Sequence, residues 1–249
     1  MNNQLFSNIA SNTLTTLGAL SGDANMAIAS AVLSPIAVSI SADVASRALS
    51  SIQSSRLEKA FSLIFHKCKI RKDKGENIRA DSFMIENDGE QAKQVLEGVL
   101  LNICDEYERK KVNYHANFFT SLCFDERLVF EQAITVSKII ERLSFRQLSI
   151  IAYAYTQHNL KTSGWQAQFK DFPSLAKYGD FYSELFSLES LGIIQQDFPG
   201  HAIGGVPMKI SEFGKILYEE VGLTDITEED MKIIDFSIND INATISGKT

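Results

Sequence analysis

The chain has 249 residues, 45% of them apolar and 22% charged, which suits a packed core and excludes a disordered or fibrous chain. A net charge of -7 excludes binding to phosphate backbones by overall charge, so any nucleic-acid contact needs a local basic patch. Cys68, Cys104 and Cys123 are odd in number and lack zinc or redox spacing, which excludes a disulfide framework and predicts buried thiols in a reducing compartment.

The length suits two small domains or one large one. Residues 1–66 read as helices rich in small apolar side chains. Met1-Asn2-Asn3-Gln4 carries no basic charge, so no secretory signal is expected. Residues 24–42 hold no charged side chain and are bracketed by Asp23 and Asp43. That length is near the roughly 20 residues a membrane span needs. The segment is rich in Ala and Ser, and Pro35 sits at its centre. A buried hairpin of two short helices meeting at Ser34-Pro35 is therefore the expectation. Its apolar positions Ile28, Val32, Leu33, Ile36, Val38 and Ile40 form a candidate membrane- or partner-contacting segment.

Residues 56–65 follow with amphipathic spacing, Leu57, Phe61 and Ile64 inward. Residues 67–87 read as a polar, basic loop marked by Gly75 and Asn77. Here Lys67, Lys69, Arg71, Lys72, Lys74 and Arg79 stand against Asp73 and Glu76. Residues 88–125 form a long helix with a break near Tyr114, on which Val95, Val99, Ile103 and Tyr107 repeat every fourth position. Arg109 and His115 share the spacing of some helical ribonucleases, where such a pair stabilises phosphate charge and moves a proton. Lys110 stands where those enzymes carry a polar residue, so a charged helix surface is the preferred reading. His66 with Cys68, His158 and His201 lack ligand spacing, so no metal is expected. No phosphate-cradling or nucleophile-elbow motif is present, and neither an enzyme nor a cofactor is expected.

Residues 126–222 carry the more specific pattern. A helix over 127–142 ends at a Leu143-Ser144 corner, with Ser144 a good N-cap. Helices over 145–155 and 173–191 follow. Leu188, Leu191, Gly192, Ile193 and Ile194 then close a helix into a strand. Pro199, Gly200, Gly204, Gly205 and Pro207 form a hairpin loop, and Ile210, Ser211 and Gly214 lead from the return strand into a last helix. This order resembles a winged-helix domain. The fold expectation is mainly α: an N-terminal helical region, then a winged-helix-like domain with a small β-hairpin, then an acidic tail over 223–249.

A winged helix that reads DNA presents cations on its third helix and wing. Here that helix carries Lys177 against Asp180, Glu184 and Glu189, and the loop carries only His201. A protein-contacting winged helix is preferred. Lys177 and Lys209 are the contacts for the alternative, a DNA-binding regulator. A third reading is a structural subunit of a larger complex, docked through the acidic tail.

Glu106, Glu108, Lys110, Lys111, Tyr114, Ala116 and Asn117 lie on one helix, and the Leu143-Ser144 corner and the winged-helix-like end come after them. Together these resemble the abortive-infection alpha family, bacterial helical proteins linked to phage resistance. The resemblance implies a role in defence against phage and no catalytic residues, and the acidic recognition face adds a protein partner or a second copy of the chain. The protein would lie in the cytoplasm, associated with the inner membrane where the 24–42 segment meets lipid.

Overall fold

A computed structural model describes residues 50–85, 89–157, 160, 173–197, 208–245 and 247 of the chain. Among these the protein is mainly α, with nine α-helices and one two-stranded antiparallel sheet. The chain divides between Arg142 and Leu143 into two compact units.

In the first unit, α1 (Ser51–Asp73) opens with a capping box. Ser50 Oγ accepts from the Gln53 N–H, and Gln53 Oε1 accepts from the Ser50 N–H. The short α2 (Ser82–Ile85) leads to α3 (Glu90–Asp105), then α4 (Lys111–Leu122) and α5 (Phe130–Arg142). Helix α4 is the centre of this unit: ten of its residues are buried, and α1, α3 and α5 all pack on it. Phe118 and Phe119 are fully covered, and each stabilises the fold by about 2–3 kcal/mol. Along α3, Val95, Val99 and Ile103 face inward as their spacing predicts.

Three expectations for this region are corrected. Helix α1 runs through Lys67 to Asp73, so the polar break begins at the Lys74–Gly75 turn, with Gly75 at φ 85. The long helix is interrupted before Tyr114, at residues 106–110, which leaves Tyr107 93% exposed instead of inward. Helix α5 belongs to this unit, which moves the start of the C-terminal domain from 126 to 143.

The second unit opens with α6 (Phe145–Thr156), capped by a second box between Ser144 and Gln147. Leu160 then bridges Met208, each N–H donating to the other's carbonyl at 2.7 and 3.0 Å. A 3-10 helix (Pro173–Tyr178) runs into α7 (Gly179–Ser190). Strand β1 (Ile194–Gln196) pairs with β2 (Met208–Ile210), Ile194 opposite Ile210. Helix α8 (Glu212–Glu220), a 3-10 turn (Leu223–Asp225) and α9 (Glu228–Ile245) complete the unit. The order of α6, bridge, α7 and the β1-β2 hairpin is winged-helix-like, with α7 in the place of a recognition helix. The hairpin loop over 198–207 lies outside the described residues.

The glycine and serine motif has a mechanical basis. Gly192 sits at φ 70, where a helix turns out into a strand, and the Ile193 N–H donates back to Leu188 O at 3.0 Å. Ser211 Oγ donates to Gly192 O at 2.5 Å and accepts from the Gly214 N–H at 3.0 Å. One hydroxyl thereby joins the end of α7 to the start of α8.

The acidic stretch is not a tail. Asp230 and Thr227 cap α9 reciprocally, and Glu228, Glu229 and Asp230 complement its dipole. Ile234, Ile238 and Ile241 are buried at helical spacing, and the helix packs on α6 and on the 3-10 helix.

Candidate functional site

The outward face of α7 carries Asp180, Ser183, Phe186 and Ser190, all exposed. Phe186 is 61% exposed. No Lys or Arg lies on α7 itself. Its Glu184 faces Arg146 of α6 at 3.2 Å. The two cations named for DNA contact are held by carboxylates: Lys177 Nζ lies 2.8 Å from Asp240, and Lys209 Nζ lies 2.7 Å from Asp197. Asp240 also accepts from the Tyr178 hydroxyl at 2.6 Å. Charge that would meet a phosphate is thus matched internally.

The basic loop is dispersed in a similar way. Arg71 pairs with Glu76 at 2.6 Å and covers the Phe124 ring. Arg79 is buried, with a side chain only 1% exposed. Its Nε donates to Asp81 at 2.8 Å, and Nη1 donates to the carbonyls of Leu122, Asp125 and Leu128 at 3.4, 2.9 and 3.1 Å. The guanidinium beside Asp81 lowers that carboxyl's pKa. Arg79 therefore pins a loop and is not offered to a phosphate.

Arg109 and His115 do not meet as a catalytic pair. Arg109 is exposed in the turn before α4, while His115 is fully buried one turn into the helix. His115 Nε2 stands 3.5 Å from Glu106 Oε2, which pairs with Lys111 Nζ at 2.6 Å. Lys111 also donates to Glu141 O at 3.0 Å, and the Glu108 N–H donates to Glu106 at 2.8 Å. Burial alone would push the Glu106 carboxyl up. The His115 ring, Lys111 and the Glu108 N–H outweigh it and hold the carboxyl at about 2. Burial pushes His115 below the ordinary imidazole value against the pull of Glu106, so the ring is neutral. A ring with no solvent contact cannot pass a proton to a substrate. Sequence spacing marked His115 but not its partners. Glu106 and Lys111 lie five residues apart, across a helix start that periodicity did not locate.

A second site carries no sequence signature of its own. Ser51, Ile52, Ser55, Arg56 and Lys59 on α1, with Arg109 and Val112 at the start of α4, line a cleft of about 380 Å³. Repetition at i, i+4 and i+8 from Ser51 to Lys59 puts them on one face of α1. Only the fold adds Arg109.

The three thiols are buried and reduced. Those of Cys68 and Cys123 share a hydrogen bond, which together with burial raises the Cys123 pKa. Among the described residues no group of His, Cys, Asp and Glu is assembled for a metal, and no helix is long and apolar enough to cross a membrane. The candidate segment with Ile28, Val32, Leu33, Ile36, Val38 and Ile40 lies outside the described residues. The chain matches no protein-family model, no curated protein and no solved structure.

Proposed function

We propose that the protein is a non-enzymatic bacterial defence factor that acts against phage by docking a protein partner through its winged-helix-like unit. The carrying observation is the α7 face, where a recognition helix would stand: it is cation-free and led by the exposed Phe186. Exposed aromatic side chains are common anchors of protein interfaces. Duplex DNA instead demands cations on this face, and the flanking Lys177 and Lys209 are held by Asp240 and Asp197. The defence context rests on the resemblance carried by Glu106, Glu108, Lys110, Lys111, Tyr114, Ala116 and Asn117. On this reading the protein acts in the cytoplasm, with the 24–42 segment a candidate membrane- or partner-contacting stretch.

The test is phage plating on cells carrying the wild-type chain, Phe186→Glu, or Lys177→Glu with Lys209→Glu. Phe186 is a surface residue, so Phe186→Glu should fold, as circular dichroism would check. The expected result is protection lost in Phe186→Glu and kept in the double lysine variant. Salt-sensitive duplex binding by fluorescence anisotropy, weakened in the lysine variant, would overturn the reading in favour of a DNA-binding regulator.

A further inference from the structure

The cleft between α1 and α4 is cationic in a chain whose net charge is -7, so its charge does not follow from bulk composition. Three features converge there. Arg56, Lys59 and Arg109 line it together with the hydroxyls of Ser51 and Ser55, and no carboxylate lines it. Both helices start at it: Ser51 and Ile52 lie in the first turn of α1, Val112 in the first turn of α4, and neither first turn holds an acidic residue. Helix N-termini present partial positive charge to an anion.

The third feature is availability. Arg56 is fixed by donating from Nη1 to Cys104 O at 2.9 Å, while its Nε is buried without a hydrogen-bond partner among the described residues. Lys59 and Arg109 are exposed, and among the described residues neither has a carboxylate partner. Of the carboxylates just before α4, Asp105 accepts from Gln53 Nε2 at 3.3 Å, and Glu106 pairs with Lys111. Lys177, Lys209, Arg71 and Arg79 show the opposite arrangement, each neutralised by an acid within its own unit.

We propose that this cleft binds a small phosphorylated ligand. Its phosphoryl group would lie against Arg56, Lys59 and Arg109, with the serine hydroxyls donating, and its apolar part would lie against Ile52 and Val112. About 380 Å³ is in the range of small-ligand sites. A single concavity fits one compact anion better than the extended track of a nucleic acid.

The full-length protein is titrated calorimetrically at low salt with pyrophosphate, ADP and adenosine, and is floated with vesicles of phosphatidylcholine with and without phosphatidic acid. Two charge-matched variants accompany it: Lys59→Glu with Arg109→Glu in the cleft, and Lys69→Glu with Lys74→Glu at the far end of α1. Expected is binding of pyrophosphate and ADP but not adenosine, weakened about tenfold or more by the cleft variant and little by the distal one. Flotation that needs phosphatidic acid and is lost in the cleft variant alone assigns the phosphoryl group to a lipid headgroup and also supports the site. Binding of none of these probes overturns the proposal. So does equal weakening by both variants, which would mean general electrostatics.

Discussion

The two units fasten their connections with different chemistry. In the first, buried charges do it: Arg79 gathers three carbonyls beneath Asp81, and Lys111 ties Glu106 to the backbone of α5. In the second, neutral groups make the turn into α8: Ser211 links two helix ends, Gly214 lets α8 sit against Ile193 and β2, and the ion pairs of Lys177 and Lys209 lie at the surface. Buried ions are costly to orphan and sensitive to pH. Close neutral contacts are indifferent to pH and intolerant of added volume. The units should therefore fail under different perturbations.

The largest expected effect is Arg79→Leu. It removes the donor for Leu122, Asp125 and Leu128 and leaves Asp81 without its guanidinium. Breaking a buried, hydrogen-bonded charge costs about 3–5 kcal/mol. Arg71→Ala, in the same basic stretch, removes a pair with partners 29% and 40% exposed and should cost under about 1 kcal/mol. Urea unfolding of both variants checks the contrast. Equal losses would mean that burial does not distinguish the two arginines.

Acid should separate the units next. Glu106 is held at about 2 when folded and titrates near 4.5 when unfolded. Its stabilisation is present above pH 4.5 and lost as pH falls toward 2, at most about 3 kcal/mol. His115 is also depressed, so the unfolded chain takes up a proton below about pH 6.5 that the folded unit refuses. Both act in one direction, and the first unit should weaken from about pH 6.5 downward. In the second unit, burial and the Asp235 acceptor raise Tyr153 to about 12, and burial raises Tyr182 to about 12. Raised tyrosines give stability that is intact below pH 10 and lost as pH climbs through 12. Cys123 adds an alkaline loss to the first unit, and Asp240, lowered by the Lys177 and Tyr178 hydrogen bonds, adds an acid loss to the second below the ordinary aspartate range, so the units separate between about pH 6.5 and 4. Hydrogen exchange at pH 7 and pH 4 should show loss of protection in α3 and α4 with α6 and α8 unchanged. Lys111→Met with Glu106→Gln should flatten that dependence.

What was legible in sequence follows the same division. The turn between α7 and β1 and the entry to α8 are short-range devices, so Gly192, Ser211 and Gly214 announce them within a few residues. Asp240 and the carbonyls held by Arg79 are distant in sequence, and spacing cannot pair Lys177 with Asp240 or Arg79 with Leu128. In 223–249 the carboxylates suggest a tail, although Ile234, Ile238 and Ile241 carry the spacing of a buried helix face. Five of the seven residues lining the cationic cleft share one face of α1, from Ser51 to Lys59, a spacing that marks no site by itself. Arg109 joins it because the chain turns at residues 106–110, where a continuous helix was expected up to Tyr114.

A smaller effect than that of Arg79 tests the neutral side of the comparison. A Cβ on Gly214 would meet Ile193 O at 2.2 Å and Ile210 Cγ1 at 2.7 Å. The first is backbone, and the Ser211 N–H already donates to it at 3.0 Å, so relief requires the α8 start to move off the strand. Overpacking of this kind costs about 1–3 kcal/mol. Alanine in place of glycine inside a helix returns up to about 1 kcal/mol. Gly214→Ala should therefore destabilise by about 1–2 kcal/mol, with the lost protection confined to α7, β1 and α8 and with no dependence on pH between 4 and 7. A stabilised variant would mean that α8 does not rest on Ile193. A loss that grew with acid would mean that charge, and not close contact, holds this corner.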